Sequence, residues 1–146
     1  MKLKRVSLEL AKHLKALGFD LECRALYRPY CGDMVYENSI NINPIAPEPA
    51  HNDWVSAPTL ELAKMWFREV HQILIEPTPI TKKYFSYKIY REGEKFHTCK
   101  LTGNNNHLNT YEDALEAGIM YMCEIMIECN RAGKRAEEIK KNIKWE

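Results

Sequence analysis

The chain reads as an α+β protein, and three observations carry that reading. Segments with apolar residues at helical spacing alternate with segments whose apolar residues recur every second position. The strand-like segments come in consecutive groups joined by short turn-forming stretches, which makes neighbouring strands antiparallel. Helical segments precede and follow each group, so helices are expected to cover the sheet. With 146 residues, 45% of them hydrophobic and 28% charged, residues 1–146 are expected to form one domain with a real core.

The first helix is expected after Ser7, an acceptor suited to an N-cap, and before Gly18. Leu10, Leu14 and Leu17 share one face, and Gly18 followed by Phe19 suits a C-terminal cap with its hydrophobic contact. Leu21, Cys23, Ala25 and Tyr27 alternate with Glu22, Arg24, Leu26 and Arg28, which predicts a half-buried strand ended by Pro29. Two shorter strands are expected at Met34–Tyr36 and Ile40–Ile42, set off by the turn residues Gly32-Asp33 and Asn38-Ser39. Pro44, Pro47, Pro49 and Pro58 mark an irregular connector near 43–58, which carries apolar anchors and so reads as a loop packed over one domain.

Thr59 is the N-cap expected for a second helix, Leu60–His71, with Leu62, Met65, Trp66 and Val70 as its apolar face. Ile73–Glu76 comes next as a strand stopped by Pro77 and Pro79. Phe85, Tyr87 and Ile89 alternate with Tyr84, Ser86, Lys88 and Tyr90 in the clearest strand of the chain. Glu92-Gly93-Glu94 turns it into a hairpin partner, Lys95–Leu101. After the loop residues Gly103 to Asn106, Thr110 and Asp113 form a variant capping box for a third helix running to about Cys129. A last amphipathic segment, Arg135–Lys144, aligns Ala136, Ile139 and Ile143. The expected order is α-β-β(-β)-α-β-β-β-α-α, with one antiparallel sheet and helices packed on it. Each half can be read as a helix followed by two or three strands, although no residue pattern recurs.

Five motifs run through most of the chain: Leu10-Ala11-Lys12, Leu17-Gly18-Phe19, Ala57-Pro58-Thr59-Leu60, Trp66-Phe67-Arg68-Glu69 and the helix start Thr110-Tyr111-Glu112-Asp113-Ala114-Leu115-Glu116-Ala117-Gly118-Ile119. In these the chain resembles a family of small proteins carried by phages and mobile elements of Bacteroides-type gut bacteria. That family has no established activity, so the resemblance implies context: an accessory protein of a phage or integrated element, working in the bacterial cytoplasm. Each motif has a structural explanation as cap or core, and none transfers a catalytic role.

Composition and motif content narrow the function classes. The 21 basic and 20 acidic residues give +1, so bulk charge names no partner, but the charge is segregated along the chain. Residues 1–18 carry +4, 19–81 carry −5, 82–108 carry +4 and 109–146 carry −2. No apolar run reaches the ~18–20 residues of a membrane span, and Glu9, Lys12 and Lys15 interrupt the stretch after the basic start, so neither membrane insertion nor a signal peptide is expected. The cysteines Cys23, Cys31, Cys99, Cys123 and Cys129 lack paired-ligand spacing and read as reduced thiols. His97 with Cys99, and Cys23 with Cys31, do not form the knuckles of a zinc site. There is no serine elbow, P-loop or dinucleotide turn, and His107, the best lone catalytic candidate, is a loop histidine of the kind more often exposed and inert, so no enzyme, cofactor or metal is expected.

Binding is what remains, and two surfaces offer it. On the third helix, Leu115, Ile119, Met122 and Met126 form a core face, while Met120, Cys123 and Ile127 form a second stripe among Glu112, Glu116, Glu124 and Glu128. Either the C-terminal segment covers that stripe, or it meets a host protein, a phage protein or a second copy of the chain. Protein binding through it is the leading expectation. The alternative is nucleic acid at the hairpin, where Lys82, Lys83, Lys88, Arg91, Lys95 and Lys100 are interleaved with Tyr84 and Tyr90. Residues 59–129 also have the helix–strand order of the double-stranded-RNA-binding domain. There the last helix opens with lysines that grip phosphates, whereas Glu112 and Asp113 stand here, so the likeness stops at topology.

Overall fold

The three helix starts are set locally, and the computed structural model has them where their caps lie. It describes residues 3–28, 32–41, 54–91, 94–98 and 108–131, with 35–41 and 94–98 described by their backbone alone. Helix α1, Leu8–Ala16, is capped by the Ser7 hydroxyl, which accepts from the Leu10 N–H at 3.2 Å. Helix α2, Leu60–His71, is capped in the same way by Thr59, which accepts from Leu62 at 3.2 Å. Helix α3, Tyr111–Arg131, opens where the Thr110 hydroxyl accepts from the Asp113 N–H at 3.0 Å. Each cap satisfies a backbone donor that the first helical turn leaves without a partner.

The chain is α+β, in the order α1, β1 (Cys23–Tyr27), β2 (Met34–Asn41), β3 (Val55–Ser56), α2, β4 (Ile73–Pro79), β5 (Phe85–Arg91), β6 (Glu94–Thr98), α3. The strands form two antiparallel sheets, β2-β1-β3 and β4-β5-β6, in place of the single sheet expected. Both halves run helix then three strands, yet the first sheet has its first strand in the centre while the second is a meander. Connection length accounts for the difference. Five residues join β4 to β5 and two join β5 to β6, so these strands must be neighbours, whereas the long stretch before β3 lets the chain return on the far side of β1.

Four strand expectations are corrected. Met34–Asn41 is one strand, because Asn38 and Ser39 fall in an irregularity where the register passes from Ala25↔Tyr36 to Cys23↔Asn41. Val55 and Ser56, expected in the connector, pair with Tyr27 and Leu26 as β3. Strand β4 runs through Pro77 and Pro79, opposite Tyr87 and Phe85. It is a sheet edge, and two prolines two residues apart turn their missing donors to the same, unpaired side. Glu94, expected in the turn, already pairs with Arg91 in β6. The expected end of β1 at Pro29, the loop 103–106 and the helix 135–144 lie outside the described residues.

The core centres on Trp66, fully buried, with Phe19 at 5.4 Å and Phe67 at 5.1 Å in edge-on contact. Phe19 leaves α1 and Trp66 sits on α2, so this cluster ties the two halves together. The buried stripe of α2 is Leu60, Ala63, Trp66 and Phe67; of the expected face, Met65 (39% exposed) and Val70 (50% exposed) stay out. The helix has apolar residues on two overlapping stripes, and only the position of its neighbours chooses between them.

Helix α3 packs on β4, β5, α1 and α2. Its expected core face, Leu115, Ile119, Met122 and Met126, is buried. A Cβ at Gly118 would stand 2.7 Å from Ile75 Cγ2 and 3.1 Å from Tyr87 Cγ, so this glycine lets the helix seat directly on the sheet. The N-terminal segment closes over the start of α3. Lys4 Nζ donates to Asp113 Oδ1 at 3.0 Å and lies 3.8 Å from Glu116, and the Ser7 N–H donates to Glu116 Oε1 at 2.8 Å. A capping box normally takes its second acceptor from the helix's own first turn; here α3 supplies it to α1 across the fold.

Candidate functional site

Alternation along β5 sorts the hairpin residues before any ligand is considered. Tyr87 and Ile89 face α3 and are buried, as Gly118's contact with Tyr87 requires. Tyr84, Ser86, Lys88 and Tyr90 therefore fall on the opposite face. Across the register they stand beside β4 in rows: Leu74 with Tyr90, Glu76 with Lys88, and Thr78 with Ser86. From Tyr84 to Tyr90 this row spans about 20 Å at the usual ~3.3 Å per residue. Tyr84, Lys88 and Tyr90 are half-buried, and Ser86 between them is buried with no hydrogen-bond partner for its hydroxyl among the described residues.

The two ends of the row carry the charge. At one end, Lys82 and Lys83 are exposed in the bend between β4 and β5. At the other, the last turn of α2 stands beside the sheet and borders an open hollow of about 410 Å³, lined by Arg68, Glu69, Gln72, Leu74, Tyr90 and Arg91. A second hollow of about 250 Å³ continues along α2, sharing Arg68 and Leu74 and adding Glu61, Lys64 and Met65. Between the ends, Lys64 Nζ bridges Glu76 at 3.0 Å and donates to the Tyr111 hydroxyl at 3.4 Å. Burial works against the Lys64 charge, but these two partners outweigh it and hold its pKa above the ordinary lysine value. Among the described side chains, six basic groups (Lys64, Arg68, Lys82, Lys83, Lys88, Arg91) stand against three carboxylates (Glu61, Glu69, Glu76).

The expected hairpin contacts are thus partly gathered. Lys88, Tyr84 and Tyr90 share a face, Lys82 and Lys83 extend it, and Arg91 turns into the cavity at the end of β5. Lys95 lies on β6, where only the backbone is described, and Lys100 is outside the described residues. Reading the sequence missed Arg68, Gln72 and Leu74, because α2 and the hairpin come together only in the fold. One signal was present: a helix ends at Gln72 where glycine or asparagine is usual, and Gln72 adopts a left-handed backbone (φ 55°, ψ 34°).

The second stripe of α3 separates into unlike positions. Cys123 is fully buried in the core, Met120 is half-buried and packed against it, and Ile127 is half-buried. Cys123 follows Ile119 by four and Met122 by one, so it widens the core face. Burial raises the pKa of its thiol, and likewise pushes Cys23 up to about 11, so neither is a ready nucleophile. Among the described residues no three His, Cys, Asp or Glu side chains are grouped so as to hold a metal ion. Nor is any described helix long and apolar enough to cross a membrane. Compared with protein-family models, curated proteins and solved structures, the chain matches none.

Proposed function

We propose that the chain is a non-enzymatic binding protein whose surface for single-stranded nucleic acid is the outer face of β4–β5. The observation that carries this reading is the shared face of Tyr84, Lys88 and Tyr90, bounded by Lys82 and Lys83 at one end and by Arg68 and Arg91 at the other. Lysines and arginines take the phosphates, and tyrosines offer rings on which bases of any sequence can stack. The acidic start of α3, engaged by Lys4, is unsuited to phosphate and argues against a duplex gripped in the manner of the double-stranded-RNA-binding domain. The resemblance in helix caps and core supports an accessory role for a phage or mobile element in the bacterial cytoplasm.

Anisotropy of labelled oligonucleotides tests this. Single strands should bind at low salt, with a log–log salt slope of about −0.7 per phosphate contact. Lys82→Ala with Lys88→Ala should make that slope shallower. No binding at protein concentrations on the order of tens of micromolar would sink the proposal, since even non-specific affinities usually reach that range.

Protein binding is the second reading. The burial of Cys123 weakens the stripe expected for it, but Met65 and Val70 on α2 remain exposed apolar side chains that a partner could cover. A second copy of the chain is the simplest such partner. A sedimenting dimer split by Met65→Lys with Val70→Lys would favour it; a monomer at all concentrations would leave the stripe and α2 without a homotypic role.

A further inference from the structure

The open hollow at the end of α2 has the volume of a small-molecule site and two arginines in its lining, and its most unusual residue is there at a conformational cost. Its volume, about 410 Å³, lies within the range of small-molecule sites, roughly 300–1,000 Å³. Two arginines, Arg68 and Arg91, line it, and a planar fork of donors suits a phosphate better than a point charge does. Leu74 and Tyr90 are register partners, so an aliphatic side chain and an aromatic ring stand side by side as an apolar wall.

Gln72 is the second, independent observation. Among the described residues it is the only non-glycine with positive φ. A side chain in that conformation crowds the backbone, and glycine relieves it, which is why helices so often end on glycine. The chain keeps a side-chain amide there instead, at the rim of the cavity. An amide offers both donors and an acceptor, the complement of a base edge. Glu69 holds Arg68 at 3.1 Å, but both groups are well exposed, and an exposed pair of this kind yields to a bound phosphate at small cost. The carbonyl end of α2 opposes an anion here, and the two arginines are what offset it.

We infer that this cavity seats one nucleotide, its phosphate at Arg68 and Arg91, its base against Tyr90 and Leu74, and the base edge at Gln72. The inference rests on the nucleic-acid reading and deepens it by naming where one unit of the strand is held. The same chemistry would also accept a free mononucleotide, so the two sources are separated experimentally.

Calorimetric titrations of the full chain with the four nucleoside 5′-monophosphates and with inorganic phosphate are run beside anisotropy of a short single strand. At least one mononucleotide should bind about tenfold more tightly than phosphate, the difference made by stacking. Arg68→Ala should abolish that binding. Gln72→Gly should weaken it about fivefold, as loss of a hydrogen bond does, while its melting temperature rises. A purely structural Gln72 would give the rise without the loss of binding, and that result overturns the assignment. Mononucleotide no tighter than phosphate overturns it too. If a strand binds in a manner sensitive to Lys82→Ala with Lys88→Ala but indifferent to Arg68→Ala and Gln72→Gly, the sheet-face reading stands and the nucleotide site falls. If mononucleotides bind through Arg68 and Gln72 while strands do not bind, the site stands and the strand reading falls.

Discussion

Alternate residues of β4 and β5 build two faces that answer to different physics. Ile75 and Tyr87 meet α3 so closely that Gly118 has no room for a Cβ, with Ile89 buried on the same face, while Glu76, Lys88 and Tyr90 lie on the other side, Tyr90 lining the hollow of α2. The first face is constrained atom by atom, because a close-packed interior transmits any change in volume. The second carries charge beside half-buried tyrosines, and its exposed ion pairs add little to stability. Stability and candidate function are thus interleaved at single-residue spacing in the same two strands, and substitutions should separate them cleanly.

The largest effect is expected for Ile89→Ala, fully buried on the α3 face. It should cost about 2–5 kcal/mol in denaturant unfolding, from lost transfer energy plus the cavity left behind. Next is Gly118→Ala. Helix propensity favours alanine by about 1 kcal/mol, but contacts at 2.7 and 3.1 Å impose an overpacking cost of about 1–3 kcal/mol, so the variant should melt lower. A higher melting temperature would mean that α3 rides further from the sheet than its glycine suggests.

Glu116→Ala should cost about 1 kcal/mol, because the Ser7 N–H loses its acceptor and α1 its cap from α3. The neighbouring pair adds a small pH dependence. The hydrogen bond from Lys4 holds the Asp113 carboxyl below the usual carboxylate range, and the bond to Asp113 raises Lys4 in turn. The acidic side of that contribution is complete above the unfolded carboxylate value of ~3.9 and is lost as pH falls through the lower folded value. The basic side is complete below the unfolded lysine value of ~10.4 and is lost as pH rises through the raised one. Both groups are over two-fifths exposed, so solvent screening limits the effect to a few tenths of a kcal/mol. Lys4→Met should flatten the acid limb of a stability–pH curve by that amount.

Smallest is Lys88→Ala, expected within about 0.5 kcal/mol of the parent in stability while weakening strand binding. Should it destabilise as much as Ile89→Ala, the outer face would be covered core, and the contrast between the faces would vanish.

How much is legible in the sequence depends on how far each interaction reaches along the chain. Ser7, Thr59 and Thr110 start their helices by bonding three residues ahead, and each start is legible from the sequence. Alternation alone assigns Tyr87 and Ile89 to one side of their strand. By contrast, α2 has apolar residues on two stripes, and the sequence favours Met65 and Val70 where the fold buries Leu60, Ala63 and Phe67. Turn residues at 38–39 and prolines at 77 and 79 also mislead, since a partner strand can absorb the first as an irregularity and an edge position can tolerate the second.

The candidate site divides along the same line. Lys82, Lys83, Tyr84, Lys88, Tyr90 and Arg91 are visible as a cluster because a hairpin is local. Arg68 and Gln72 become their neighbours only when α2 turns at its left-handed exit and lays its last residues against the β4–β5 end. By itself the sequence determined the α+β class, the helix starts, the alternation of β5 and its basic and aromatic content, all consequences of local caps, turns and periodicity. The tertiary structure alone decided the division into two sheets, the burial of Cys123, the cap that Glu116 lends to Ser7 and the cavity shared by α2 and β5. Each depends on surfaces meeting across long stretches of chain, where local preference leaves several arrangements close in energy and packing chooses among them.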